Sequence, residues 1–174
     1  MVQHTADVDP AVLAGSRALL RLAFDDDFTD ADWEHSLGGV HAVALAGGEV
    51  VGHAAVVQRR LLHGGRALRA GYVEGVGVHP GWHRRGIGGR LMTELERVVR
   101  CAYDLGALGA TDAGVPLYTS HGWVAWRGPL ASLTPSGPAP TPDADGAVYV
   151  LADPRTPLDL DAGLTCDWRD GDVW

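Results

Sequence analysis

The run Val73-Glu74-Gly75-Val76-Gly77-Val78-His79-Pro80-Gly81-Trp82-His83-Arg84-Arg85-Gly86-Ile87-Gly88-Gly89 joins a half-buried strand, a basic glycine-rich loop and a helix start. That order describes an anion site. The first N–H groups of a helix lack partners, and the helix dipole places roughly half a positive charge there. The glycines let a phosphate reach the amides unobstructed, and a pyrophosphate fits. Before the loop, Tyr72, Glu74, Val76 and Val78 alternate with Val73, Gly75 and Gly77. Glycines inside a strand signal a bulge or close approach by a ligand. After the loop, Ile87, Leu91, Leu95, Val98, Ala102 and Leu105 recur at spacings of three and four. This spacing predicts an amphipathic helix with Arg90, Glu94, Glu96, Arg97 and Arg100 turned away from its apolar face.

A chain of 174 residues that is 46% hydrophobic is large enough for one compact α/β domain spanning residues 1–174. The longest charge-free run near the start, Ser36 to Gly48, is too short and glycine-rich to span a bilayer. Met1 to Pro10 carries acids where a signal peptide carries bases, so a cytoplasmic protein without a membrane partner is expected. Two cysteines, Cys101 in the long helix and Cys166 near the end, make no disulfide framework, and Cys101 reads as a buried thiol.

The net charge of −8 is unevenly spread: residues 59–100 hold nine arginines and three acids, a balance of +6, whereas residues 1–58 and 101–174 each carry −7. The middle suits an anion and the flanks a cation. Acids gather at Asp25, Asp26, Asp27, Asp30 and Asp32, and again at Asp167, Asp170 and Asp172 beside Trp174. A net acidic chain disfavours a nucleic-acid partner. There is no lysine, which excludes a Walker-type phosphate loop and Schiff-base chemistry, and Gly86, Gly88 and Gly89 do not have dinucleotide-fold spacing. Pro80 and the loop prevent His79 and His83 from forming a helical metal pair, so no metal is expected. His35, His41, His53 and His121 read as packing or surface residues, and Trp33, Trp123, Trp126 and Trp168 as core or pocket wall.

Along the chain, Pro10 to Ala23 reads as a helix, and Thr29 caps a second that Gly38-Gly39 stops. Strands His41–Ala46 and Val50–Leu62 are joined by Gly47-Gly48, and His63-Gly64-Gly65 turns into a strand ending at Val78. Beyond the long helix, Gly106–Thr111 reads as a strand, Val115–His121 as a helix and Trp123–Arg127 as a strand. The proline-rich stretch from Ser132 to Gly146 lacks periodicity and reads as an ordered loop.

This order of elements, with His83-Arg84-Arg85-Gly86-Ile87-Gly88, resembles the GCN5-related N-acetyltransferase (GNAT) superfamily, whose signature is Gln/Arg-x-x-Gly-x-Gly/Ala. Leu117-Tyr118-Thr119-Ser120-His121-Gly122-Trp123 is similar to its Leu-Tyr-x-x-x-Gly-Phe signature. Segments including Asp32-Trp33-Glu34-His35, Gln58-Arg59-Arg60-Leu61, Gly71-Tyr72-Val73-Glu74-Gly75-Val76 and Cys166-Asp167-Trp168-Arg169-Asp170-Gly171-Asp172-Val173-Trp174 resemble actinobacterial aminoglycoside 2′-N-acetyltransferases. The fold implied is α/β, with a mixed central sheet of splayed strands flanked by helices in a single domain. The implied function is transfer of acetyl from acetyl-CoA to the 2′-amine of aminoglycoside antibiotics, conferring resistance.

The resemblance implies that Arg84, Arg85, Gly86, Gly88 and Gly89 hold the coenzyme pyrophosphate. His83 stands at the position of the usual Gln or Arg, and Val76 and Val78 bond the pantetheine arm. It further implies Glu74 as general base, acting through a water, and Tyr118 as general acid. Asp27, Asp32, Glu74, Gly75, Asp145, Asp172 and Trp174, including the terminal carboxylate, would bind the polycationic substrate, and a homodimer is implied. Departures occur at His83, at Gly109 where relatives carry serine, and at Ala144 between Asp143 and Asp145. Two other readings stay open: acetylation of a different amine, such as a cell-envelope amino sugar, and a noncatalytic module binding coenzyme A or a cation.

Overall fold

The computed structural model describes residues 1–25 and 27–174, so Asp26 of the first acidic cluster lies outside the described residues. Two compact units emerge: residues 1–57 with 73–98, and residues 58–72 with 99–174.

The first unit contains β1 (Val2–His4), α1 (Pro10–Ala23), α2 (Asp30–His35), β2 (Val40–Ala46) and the start of β3 (Glu49–His63). It also holds the end of β4 (Arg66–Val78) and most of α3 (Ile87–Ala102). Helix α1 has Pro10 in its first turn, where no N–H is needed, and the Asp9 carboxylate accepts from Ala11 N–H at 2.8 Å. β2 and β3 pair antiparallel from Val40↔Val56 to Ala46↔Glu49, with a register shift between Ala44 and Leu45. Gly47 and Gly48, at φ 61° and 89°, provide the left-handed turn that this hairpin requires. Leu20, Phe28 and Trp33 form an apolar cluster joined by Leu13, Phe24 and Leu37. A Cβ at Gly52 would lie 2.7 Å from Ile87 Cγ2, so only glycine lets α3 approach β3 this closely.

The second unit contains the end of β3, the start of β4, β5 (Leu105–Gly109), α4 (Val115–Ser120), β6 (Val124–Ala125), β7 (Leu130–Thr134), β8 (Gly137–Pro140), β9 (Val148–Ala152) and β10 (Leu164–Asp167). Its strands follow the order β6-β9-β5-β4-β3-β10-β7-β8. β4 with β5 and β10 with β7 are parallel, while β5 with β9, β3 with β10 and β7 with β8 are antiparallel. This is the mixed sheet that the resemblance implies. Trp123 and Trp126 are each 2% exposed, and Leu105, Leu164 and Cys166 are fully buried. Burial pushes the Cys166 thiol pKa up.

Several expectations need correction. The stretch Ser132–Gly146 is not a loop: it supplies most of the β7–β8 hairpin. Leu133↔Pro138 and Ala131↔Pro140 alternate with Ser132↔Ala139 and Thr134↔Gly137, and Thr141 N–H donates to Leu130 O at 2.9 Å. Residue 141 shares the parity of 137 and 139, so the N–H-bearing residues face β7 and the two prolines face away from it. That placement is tolerated on an edge strand. The apolar face of α3 is also shifted by one residue. Leu91, Met92, Leu95, Glu96 and Val99 are buried, Val98 is half-buried and Ala102 exposed, while Leu105 already belongs to β5. Cys101 lies about 200° round the helix from Val99 and is exposed, not buried. Trp168 is 47% exposed rather than core. The sequence reading contains no β1, β9 or β10.

Candidate active site

The basic loop is shaped by its own side chains. The His79 ring accepts from Gly81 N–H at 3.1 Å, starting a 3-10 turn over Pro80–Trp82. His83 Nε2 donates to Val78 O at 2.9 Å, closing the chain back on the end of β4. The imidazole therefore fastens the loop, and it engages one of the carbonyl groups expected to bond the pantetheine arm. Arg85 stacks on Trp82 with its guanidinium carbon 4.7 Å from the ring centroid. Arg84 is left-handed at φ 58°, and Gly86 at φ 74°. Left-handed residues on either side of Arg85 are the alternating backbone pattern from which nests of convergent N–H groups are built. α3 starts immediately afterwards, with Gly86 O accepting from Arg90 N–H at 3.2 Å. The loop thus combines oriented amides, the open N–H groups at Ile87, Gly88 and Gly89, and two arginines.

Glu74 is half-buried on β4, followed by Gly75 at φ 55°. The Gly75 carbonyl accepts from His53 Nδ1 at 2.8 Å. A Cβ at residue 75 would lie 2.9 Å from Ser36 Oγ and 3.1 Å from Leu20 Cδ1, so both φ and space require glycine. Val76 is half-buried on the same strand, as is Val78.

The first acidic cluster is partly consumed by structure. Asp32 Oδ2 accepts from both Thr29 N and Thr29 Oγ1 at 2.7 Å, while Thr29 Oγ1 accepts from Asp32 N at 3.2 Å. This is a capping box, a local motif that stabilises the start of α2. Arg17 and Arg21 both bond Asp30, and the hydrogen bond from Arg17 holds its carboxyl below the usual range. Asp27 is exposed, and its carboxylate bonds no partner among the described residues.

In the second unit, Tyr118 is 7% exposed on α4, its ring 6.4 Å from that of Trp123. Gly114 lies beneath it: a Cβ there would stand 2.8 Å from Tyr118 Cε2. Trp174 is 6% exposed and donates from Nε1 to Thr141 Oγ1 at 2.8 Å, and Asp172 Oδ1 accepts from its N–H at 3.1 Å. A Cβ at Gly109 would lie 3.3 Å from the Trp174 carbonyl and 3.7 Å from the Tyr72 hydroxyl. Thus the departure at Gly109 leaves room for residue 174. Asp145 is exposed at the end of a 3-10 turn over Pro142–Ala144. Tyr72 carries guanidinium carbons of Arg59 and Arg169 at 4.6 and 5.3 Å from its ring centroid, and Arg59 is anchored by Asp167 at 2.7 Å. The sequence reading missed this cluster.

It also missed the buried polar chain behind Gly75. His41 Nδ1 and His53 Nε2 are 2.9 Å apart, both rings are fully buried, and Thr5 Oγ1 lies 2.7 Å from His41 Nε2. Burial pushes both pKa values down to about 4. The available signal was register: His41 and His53 sit on adjacent strands, two residues out of step, with Ala55 opposite His41 and Val43 opposite His53.

The loop, the strand and the helix behind them match a known family. Residues 14–123 fit the model of the Acetyltransferase (GNAT) family, and the chain belongs to that family and has its fold. Enzymes of this family use acetyl-CoA. At the level of individual proteins, the chain is 48% identical over 98% of its length to the aminoglycoside 2′-N-acetyltransferase of Mycolicibacterium fortuitum, covering 89% of that protein. The E. coli GNAT family N-acetyltransferase YhbS, solved in complex with CoA, superposes with a TM-score of 0.66 at 20% identity, over 98% of this chain and 89% of that one. Eis1 from Mycobacterium abscessus superposes with a TM-score of 0.60 at 21% identity over 75% of this chain, which spans 32% of that longer protein. Among the described residues no helix is long and apolar enough to cross a membrane, and no cluster of three or more His, Cys, Asp or Glu could hold a metal ion.

Proposed function

We propose that this chain transfers the acetyl group of acetyl-CoA to the 2′-amine of an aminoglycoside, acting as one acetyltransferase domain over residues 1–174. The observation that carries the reading is the 48% identity to the M. fortuitum enzyme, sustained over 98% of the chain. The loop geometry fits the cosubstrate. The amides of Gly86, Gly88 and Gly89, with Arg84 and Arg85, offer a pyrophosphate directed N–H groups and positive charge. His83 contributes by holding the loop rather than by touching phosphate. Val76 and Val78 provide backbone groups for the pantetheine arm, which runs like an added strand.

Glu74 takes a proton from the substrate ammonium, through a water, and the amine then attacks the thioester carbon. A C–N bond forms, the C–S bond breaks, and Tyr118 donates its phenolic proton to the departing thiolate; the second proton leaves the nitrogen to solvent water as the amide forms, and Tyr118 is reprotonated from solvent. Asp27, Asp32, Asp145 and Asp172, with Trp174, recognise the remaining ammonium and hydroxyl groups, Asp32 while also capping α2. Release of coenzyme A thiol is measured with kanamycin B, which has an amine at the 2′ position, and kanamycin A, which has a hydroxyl there. Turnover with kanamycin B alone is expected. Equal turnover with both overturns the 2′ assignment, and none with either, despite coenzyme A binding, leaves acetylation of another amine or a binding module. Glu74→Gln is expected to lower kcat about 100-fold or more.

A further inference from the structure

Thr5, His41, His53 and Gly75 form one continuous hydrogen-bonded chain inside the first unit, and its polarity can be deduced. A carbonyl can only accept, so at 2.8 Å from Gly75 O the His53 Nδ1 must carry a proton and donate. Neutral His53 then has a bare Nε2, so His41 Nδ1, 2.9 Å away, donates to it. Neutral His41 in turn has a bare Nε2, and Thr5 O–H donates to that nitrogen across 2.7 Å in preference to Gly39 O at 3.2 Å, which already accepts from Thr5 N–H at 2.9 Å. The Thr5 oxygen accepts from Gly38 N–H at 2.9 Å. The opposite polarity would set two lone pairs against each other at Gly75. Every bond is satisfied with both rings uncharged, in keeping with their lowered pKa values. Trp33 covers the pair, its centroid 6.4 Å from His41 and 5.8 Å from His53.

The last bond of this chain holds a residue in an uncommon state. Gly75 is the left-handed point of β4, and its carbonyl turns inward to His53. Peptide planarity ties that carbonyl to the Val76 N–H, and the left-handed φ of Gly75 sets the angle between this peptide and the one that joins Gly75 to Glu74.

We propose that Thr5, His41 and His53 are positioning residues: by fixing the Gly75 carbonyl they hold the bend in β4 that presents the Glu74 carboxylate to the reacting amine. The inference rests on the assignment of Glu74 as general base. None of the three is among the residues proposed to contact substrate, and His41 and His53 are fully buried. Their effect is to narrow the range of directions open to Glu74, which acts on kcat more than on coenzyme binding.

Four variants are assayed beside Glu74→Gln, using acetyl-CoA and kanamycin B. His53→Phe keeps a ring but removes the donor. His53→Asn keeps an N–H where Nδ1 stood. Thr5→Val and Thr5→Ser remove and keep the hydroxyl at the far end. The expected result is a fall in kcat of about 100-fold for His53→Phe with KM for acetyl-CoA unchanged, and His53→Asn near the parent. A folded His53→Phe with parental kcat overturns the proposal, as does His53→Asn falling as far as His53→Phe. Should His53→Phe fail to fold, the threonine pair decides. Loss with valine but not serine supports the chain, and equal rates overturn it. Parental turnover by Glu74→Gln would remove the base assignment and the inference with it. Loss in Glu74→Gln without loss in His53→Phe would remove the inference alone.

Discussion

Lowering the pH from 7.5 to 5.0 is expected to destabilise this fold through His41 and His53. Both imidazoles are fully buried, and burial lowers their folded pKa from 6.5 to about 4. In that interval the unfolded chain binds protons that the folded chain refuses, so stability is fully present above pH 6.5 and falls as the pH drops toward 4. For each ring, linkage gives a loss of about 2 kcal/mol at pH 5.0, or about 4 kcal/mol for the pair if both stay neutral in the folded state. Carboxylates act in a different window. Asp153, held near pKa 2 by Arg155, contributes stability that is lost only as the pH falls through 3.8 and below. Urea unfolding at the two pH values measures the difference, with the slope against denaturant checked for constancy. His53→Asn, which cannot titrate, is expected to show a pH effect smaller by about 2 kcal/mol. A parental loss below about 1 kcal/mol, or an unchanged loss in His53→Asn, would refute the reasoning.

Three other outcomes follow from named contacts. Thr29→Ala removes half of the capping box on α2 and should cost about 1 kcal/mol, a melting shift of about 2–4 °C by calorimetry. Arg59→Met removes a guanidinium that is 4% exposed, bonded to Asp167 and stacked on Tyr72; a loss of about 1–3 kcal/mol in urea unfolding is expected. Gly109→Ser brings a side chain within 3.3 Å of the Trp174 carbonyl, so KM for kanamycin B should change at least about three-fold while KM for acetyl-CoA holds.

Elements with strong local signals were legible in advance. Pro10–Ala23 is helical with the expected ends, and Gly47-Gly48 makes the turn that it signals. Strands β9 and β10 escaped because their apolar runs are short and gain partners only across the sheet, at β5 and β3. The prolines of β8 read as breakers because sequence does not show which side of a strand needs its N–H. A turn at Arg84–Gly86 could be foreseen from its glycine. The commitment of Asp32 to Thr29, of His83 to Val78 and of His53 to Gly75 could not, because each depends on which of several polar neighbours the folded backbone brings within bonding distance.

The outward-facing Pro138 and Pro140 also bear on how copies of this protein can meet. β8 terminates its sheet, the position where a strand from another molecule would dock by extending the ladder. A newcomer there would find no donor at either residue, so this edge resists both fibril growth and exchange of strands between chains. A homodimer of the kind that the sequence resemblance implies would have to be built from side-chain packing or by extending another border.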